Sequence, residues 1–215
     1  MILSGDDFTN GGFPHMTARH TDLGWAPVLA LRTGRTGEMA WEFHVPTEYV
    51  RDLYDKILDA GGPYGIRDIG YRALESLRVE KQYPAWGTDM RSDSAPFDIG
   101  LGARVPSGKP GLLAGPALAA LVGSGPSHRL CWFTTDADVV MHGGEMLVCP
   151  AADYRAGVRS AGFGHTIGVT TFSAMFPADV GAGSGECEVE VMNHRYPATL
   201  LAEPLYDPGG VRVRS

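Results

Sequence analysis

The chain has 215 residues and a formal net charge of −7, with 44% hydrophobic and 20% charged residues. This length is sufficient for one large domain or two small ones with their own hydrophobic cores. The acidic charge argues against a general nucleic-acid-binding protein, because such proteins normally present a basic face. An anionic ligand would therefore need a local group of arginines.

The first strongly patterned part of the chain predicts two strands joined by a turn. Residues 26–32 form a short apolar run of the kind found in buried strands. Glycines within residues 34–37 predict a turn. The alternation over residues 39–45 predicts a second strand, and Glu38 and Glu42 would project from the same side of it.

Two helices are predicted next. Thr47 is a suitable N-cap for a helix whose apolar residues recur at helical spacing until the glycine pair at residues 61–62. A second helix is predicted over residues 68–81, which carry arginines on the helix surface. Strands followed by helices indicate an α+β unit, which we assign to residues 1–105.

A Pro- and Gly-rich stretch at residues 106–111 is the best candidate for a domain boundary. After a short helix at residues 117–122, the remaining segments are strand-like runs separated by Gly, Pro and Asp. These runs are 129–135, 145–149, 166–172, 187–192 and 198–202. Short strands with regular turns predict an antiparallel β-barrel or jelly-roll domain over residues 106–215.

The cysteines and the apolar segments indicate a cytoplasmic protein. Cys131, Cys149 and Cys187 are far apart in sequence and odd in number, so we expect three buried thiols and no disulfide framework. The first residues turn acidic before any apolar run, so no signal peptide is expected. Residues 111–123 are too short to span a bilayer, so no membrane association is expected.

Two segments carry residues suited to binding a flat, polar ligand. Residues 36–42 hold two carboxylates beside a glycine turn and a tryptophan, and residues 72–86 hold two arginines and an aromatic, glycine-bearing corner. Together they could recognise a heterocycle with an amide-like edge and an anionic tail, as in a folate. The histidines are not spaced like metal ligands, so no metal site is assigned.

Each of these residues also has a simpler interpretation. A glutamate on a strand, such as Glu38 or Glu42, is usually a solvated surface residue. Arg72 and Arg78 each lie three positions from a glutamate and would more often form surface helix pairs of little energetic value. Trp86 would more often anchor a hydrophobic core. Composition and spacing leave both interpretations open.

Several motifs follow one another in order along nearly the whole chain. They lie at residues 13–19, 36–42, 72–80, 86–87, 94–102, 164–168 and 204–214. The series resembles the folate-binding half of the glycine cleavage T-protein, or aminomethyltransferase, family. Within this family, the motif series most resembles that of the folate domain at the C-terminal end of dimethylglycine and sarcosine dehydrogenases. The resemblance implies a partial T-protein fold, a ferredoxin-like α/β unit followed by the β-barrel or jelly-roll domain.

The resemblance implies tetrahydrofolate as the cofactor and assigns roles to individual residues. Glu42 would accept hydrogen bonds from the amino group and ring N–H of the pterin, with Glu38 close by, and such charge-assisted paired bonds are strong. Arg72 or Arg78 would lie near the glutamyl tail. Arg35 stands where the family usually has a tyrosine that lines the folate site.

Two aromatic residues could complete the predicted cofactor site. Tyr83 or Trp86 would form a wall of the pterin site by stacking on the ring.

The resemblance also implies a partner. The chain is about half the family's length, and the family's catalytic acid lies in the other half, so the acid is expected on a second polypeptide that supplies this half of the fold. The interface would be large and hydrophobic. The predicted function is a subunit of a split, tetrahydrofolate-dependent demethylase or aminomethyltransferase acting on an N-methyl or aminomethyl substrate. The alternative is a non-catalytic scaffold or regulatory subunit of an oxidoreductase-like complex.

Overall fold

The computed structural model describes residues 3–106, 108–180 and 186–214. The chain divides into two compact units, Met1–Leu74 with Asp207–Ser215, and Glu75–Tyr206. The first contains a small antiparallel sheet with helices, and the second contains a closed antiparallel barrel. These elements confirm the predicted α+β class. The packing division falls within a helix, so residues 75–105 pack with the barrel unit rather than with the unit assigned to residues 1–105.

The sheet of the first unit consists of three antiparallel strands in chain order. They are β1 (Ala18–Leu23), β2 (Ala26–Leu31) and β3 (Glu42–His44). One face of the sheet is buried, because Leu23, Val28 and Ala30 pack with Phe13 and with Leu53 of the following helix. The alternation of side chains along each strand leaves every second residue on the opposite face.

The strand predicted over residues 39–45 is much shorter in the structure. Glu38 lies in a bend rather than in β3, so the expectation that Glu38 and Glu42 share one strand is wrong. The reason is a tight turn: a Cβ atom on Gly34 would lie 2.5 Å from the Cβ of Ala40. Because the chain comes back against Gly34 at Ala40, residues 34–40 form an irregular loop. This loop is longer than the turn predicted over residues 34–37.

The two helices that follow the sheet begin later than the sequence suggests. Thr47 starts a 3-10 turn, Thr47–Tyr49, and makes no side-chain cap, so its predicted N-cap role is wrong. Helix α1 is Val50–Gly61 and ends at the predicted glycine. Helix α2 is Tyr71–Glu80.

Six strands close the barrel of the second unit in the order β4-β7-β6-β5-β8-β9, with every neighbouring pair antiparallel. The strands are β4 (His128–Thr135), β5 (Met146–Cys149), β6 (Tyr154–Gly164), β7 (Val169–Pro177), β8 (Cys187–Val191) and β9 (His194–Leu201). Phe133, Phe172 and Val189 are fully buried in its core. The sequence did not predict β6, because its glycines and arginines obscure the apolar alternation.

Helix α3, Gly115–Ser124, precedes the barrel and has no buried residue. Among the residues that the structure describes, no helix has both the length and the apolar character needed to cross a bilayer.

A disulfide bond joins Cys149 to Cys187, which corrects the expectation of three free thiols. Strands β5 and β8 are neighbours, and their register pairs Val148 with Glu188, which brings the two cysteines opposite each other with Cα atoms 4.2 Å apart. Their separation of 38 residues hides this proximity in the sequence. Cys131 is free and buried, as expected.

Candidate functional site

The face of the sheet opposite the buried core carries the predicted pterin residue. Strand register places Leu31 between Ala18 and Glu42, and Leu29 between His20 and His44. We call this set the open face; its residues are Ala18, His20, Leu29, Leu31, Glu42 and His44. The two leucines are half-buried and the four flanking residues are exposed. The open face is therefore a strip of two leucines bordered by three polar side chains, His20, Glu42 and His44, and by Ala18.

Glu42 presents its carboxylate at the edge of this strip. Its side chain is 47% exposed, and its Oε2 lies 3.9 Å from Nε2 of His44. This distance is too long for a hydrogen bond, and an exposed ion pair of this kind contributes little to stability. The carboxylate can therefore accept hydrogen bonds from a ligand without breaking a structural contact, and Leu29 and Leu31 can pack against the face of a planar ring.

The turn before β3 holds the other predicted carboxylate. Glu38 is half-buried, and its Oε2 lies 3.7 Å from Nη1 of Arg212 in the C-terminal 3-10 turn Arg212–Arg214. Arg35 is exposed in the same turn as Glu38. The sequence did not predict the role of Arg212, because nothing local relates it to a residue far earlier in the chain.

A buried cation–π contact supports the start of β3. The guanidinium carbon of Arg32 lies 4.3 Å from the centre of the Trp41 ring, and Arg32 is fully buried. Trp41 also packs with the core of the first unit beside Phe8. These contacts fix the chain immediately before Glu42, so the position of the Glu42 backbone is determined by the core.

The two predicted tail-binding arginines have different environments. Arg72 is exposed in the first turn of α2, whereas Arg78 is 1% exposed. The Arg78 guanidinium donates to Oε2 of Glu75 at 2.6 Å and 3.0 Å, to Oδ2 of Asp89 at 3.0 Å and to Ser160 Oγ at 2.9 Å. It is therefore not the surface helix pair of the simpler interpretation.

Arg78 also donates to the backbone carbonyl of Tyr83. Because its N–H groups are directed to protein atoms, we assign Arg78 a structural role. Arg72 is the better candidate for an anionic group of a ligand.

Asp89 is the centre of a buried network that the sequence did not predict. Its carboxylate is fully buried and accepts hydrogen bonds from Arg78, Ser160, Ser173 and the backbone N–H of Ala85. No local pattern distinguishes a carboxylate of this kind from a solvated one.

The predicted stacking residues lie close to this network in sequence. Trp86 is 70% exposed, so the interpretation of Trp86 as a core anchor is wrong. Tyr83 is half-buried. An exposed indole is available for stacking, and the roles of Tyr83 and Trp86 at a pterin stay predictions.

No metal centre is found in the parts of the chain that the structure describes, residues 3–106, 108–180 and 186–214. None of their His, Cys, Asp and Glu side chains form a group of three or more that could hold an ion.

Family models match both parts of the chain. Residues 2–109 match the model described as the GCVT N-terminal domain, and residues 128–207 match the glycine cleavage T-protein C-terminal barrel domain. The division between the two models lies near the predicted boundary at residues 106–111, whereas the packing division lies earlier.

Similar proteins include a dehydrogenase and two aminomethyltransferases. The chain is 31% identical to mouse mitochondrial dimethylglycine dehydrogenase over 99% of its own length and 24% of that protein. It is 31% identical to the aminomethyltransferase of Shouchella clausii over 84% of its length and 49% of that enzyme. The solved structure of aminomethyltransferase T from Bartonella henselae matches with a TM-score of 0.75 and 24% identity, over 84% of this chain and 50% of that one. The chain thus spans between a quarter and a half of these relatives.

Proposed function

Because the chain belongs to the glycine cleavage T-protein family, we propose that it binds tetrahydrofolate as part of a demethylase or aminomethyltransferase. The observation that carries this proposal is the exposed Glu42 carboxylate at the edge of an apolar strip. A pterin has an amino group and a ring N–H side by side, and one carboxylate can accept both. The ring would lie against Leu29 and Leu31, with Arg72 available for the anionic tail.

The contribution of this chain to the reaction would be to bind tetrahydrofolate and to orient its ring. Tetrahydrofolate supplies the nitrogen that accepts a one-carbon unit. Glu42 would fix the rotation of the ring, and the core contacts of Arg32 and Trp41 would hold Glu42 in place. Such orientation can supply a large part of a rate enhancement, because it removes the entropic cost of alignment at the moment of reaction.

The names of the relatives support a substrate class for this proposal. The names dimethylglycine dehydrogenase and aminomethyltransferase support an N-methyl or aminomethyl compound as the donor of the one-carbon unit.

We further propose that a second polypeptide supplies the remainder of the family fold and the catalytic acid. The first unit exposes large apolar side chains, among them Trp25 at 84% and Met16 at 65%. Strands β1 and β3 are the edges of the sheet formed by its described residues, and exposed edges and apolar side chains favour association. Purification from the native host with identification of accompanying proteins tests this proposal, and a chain that purifies alone as an active enzyme would overturn it.

Titration of tetrahydrofolate into the purified protein, with any polypeptide that accompanies it, tests the proposed site. We expect Glu42→Gln to weaken binding about 10- to 100-fold, because charge-assisted hydrogen bonds are worth about 1.5–3 kcal/mol. Glu48→Gln is the matched control, since Glu48 is an exposed carboxylate in the 3-10 turn outside the open face. Equal binding by both variants would reject the role of Glu42.

Arg35, in place of the tyrosine usual in the family, favours one alternative: a scaffold or regulatory subunit that retains the fold without one-carbon transfer. Activity of the native complex that survives both folate depletion and Glu42→Ala would support this alternative over the first proposal.

A further inference from the structure

The barrel unit contains a cavity that the proposed folate site does not use. Its volume is about 400 Å³, and it is lined by Gln82, residues 129–132 and residues 200–202. It lies where β4 and β9 cease to pair: the last cross-strand pair is Trp132 with Leu201, and β4 continues beyond it to His128. The cavity therefore lies beside the end of β4 that β9 does not pair with, next to the chain that leaves β9 at Leu201.

The lining of this cavity combines hydrocarbon walls with one cation. Leu130, Trp132 and Leu201 supply apolar surface, and Arg129 is exposed at the rim. Nη2 of Arg129 donates to the Val180 carbonyl at 3.3 Å, which holds the guanidinium without neutralising its charge. None of the described residues that line the cavity carries a carboxylate.

The other lining groups are fixed by the protein. Gln82 has a left-handed backbone with a φ of 59°, a conformation that is energetically disfavoured for a residue other than glycine. Its Nε2 donates to the Glu203 carbonyl at 3.3 Å. The N–H of Leu130 donates to the Asp98 carbonyl at 2.5 Å. These contacts fix the Gln82 side chain and the Leu130 backbone on one side of the cavity.

We propose that this cavity binds a small organic anion, a monocarboxylate with a short hydrocarbon body. The carboxylate would pair with Arg129, and the hydrocarbon would pack against Leu130, Trp132 and Leu201. The volume lies within the range of sites that hold small molecules, about 300–1,000 Å³. Inorganic phosphate fits less well, because phosphate sites use several strong donors and the amide of Gln82 is already engaged.

Cys131 provides a reporter at the wall of the cavity, where it borders the buried core of the barrel. It lines the cavity, and it is the one free thiol of the chain, because the other two cysteines of the sequence form a disulfide. A ligand in the cavity would shield Cys131 from alkylating reagents. Alkylation can be followed at this residue by peptide mass spectrometry, even when another polypeptide is present.

The test measures the rate of Cys131 alkylation by iodoacetamide at constant pH and ionic strength, without reductant, in the purified protein. We expect hexanoate to slow alkylation in a saturable manner, while hexanol, hexylamine and phosphate at equal concentration protect much less. Arg129→Gln should raise the half-protecting concentration of hexanoate about 10-fold or more, since a charge-assisted contact is lost.

Arg195→Gln is the matched control, because Arg195 is an exposed arginine on β9 that pairs with Glu188 and Glu190 and does not line the cavity. Arg129→Lys keeps the charge and should retain part of the protection; circular dichroism confirms that each variant is folded. Lack of protection by hexanoate, equal protection by hexanol or by phosphate, or an unchanged Arg129→Gln variant would overturn the proposal. Folate binding is not involved in this measurement, so its outcome is independent of the proposed function.

Discussion

The guanidinium of Arg78 lies 3.0 Å from the carboxylate of Asp89, and both side chains are almost completely removed from solvent. One group comes from α2 and the other from the loop that follows it, so the ion pair fixes that loop against the helix. Ser160 of β6 bonds to both groups, and Ser173 of β7 bonds to Asp89. The loop that carries Trp86 is therefore held by a buried ion pair that is bonded to strands β6 and β7.

Breaking this pair should destabilise the protein. Asp89→Asn removes one of the two carboxylates that pair with the buried Arg78 cation and leaves Glu75 as the other, so we expect a loss of about 1–3 kcal/mol. The measurement is the free energy of unfolding by urea. Glu188→Gln, which removes an exposed partner of Arg195, should change it by less than about 1 kcal/mol. An equally small effect of Asp89→Asn would show that the buried network does not carry stability.

The disulfide bond should contribute measurably to the stability of the barrel. The 38-residue separation of Cys149 and Cys187 corresponds to about 4 kcal/mol of lost chain entropy in the unfolded state. Cys149→Ser with Cys187→Ser should lower the free energy of unfolding by about 2–4 kcal/mol, measured without reductant. The same double variant compared with wild type in the presence of a reductant is the control, and there the difference should largely disappear. A wild-type protein that shows three reactive thiols after unfolding without reductant would contradict the bond.

Burial raises the pKa of the Cys131 thiol above its ordinary value, partly opposed by the nearby charge of Arg129. Alkylation of Cys131 in the folded protein should therefore require a higher pH than alkylation of the same residue in urea. Because the pKa is raised on folding, the stability that the protonated thiol contributes is present below the unfolded pKa and is lost as pH rises through the folded pKa. Rate–pH profiles of the folded and unfolded protein test the shift, and coincident profiles would refute it. Cys131→Ala should remove this part of the alkaline loss of stability.

Trp86→Ala should separate ligand binding from folding. An indole that is 70% exposed contributes little to the core, so the free energy of unfolding should change by less than about 0.5 kcal/mol. If Trp86 stacks on the pterin, tetrahydrofolate affinity should fall by about 0.5–1.5 kcal/mol. Tyr64→Ala is the matched control, because Tyr64 is an aromatic residue that is 79% exposed and lies in the 3-10 turn Gly62–Tyr64, outside the open face. If tetrahydrofolate affinity is unchanged in Trp86→Ala, Trp86 is not part of the site.

Much of the architecture was determined by local sequence pattern. The apolar run at residues 26–32 predicted β2, and helical spacing up to Gly61 predicted α1. The short strand-like runs beyond residue 128 predicted an antiparallel β-barrel or jelly roll, and the structure contains a closed barrel. These predictions succeed because periodicity records which side of an element is buried, and glycine marks where a helix can end. The motif series also identified the family.

Only the tertiary structure decided which residues of opposite charge or of like chemistry come together. The simpler interpretation of Arg78 as a surface residue and of Trp86 as a core residue is wrong for both, since the helix arginine is buried and the tryptophan is exposed. Cys149 and Cys187 form a disulfide because the barrel places β5 beside β8. Glu38 lies close to Arg212, near the other end of the chain. Burial and pairing of this kind depend on contacts between residues distant in sequence, and local periodicity carries no information about them.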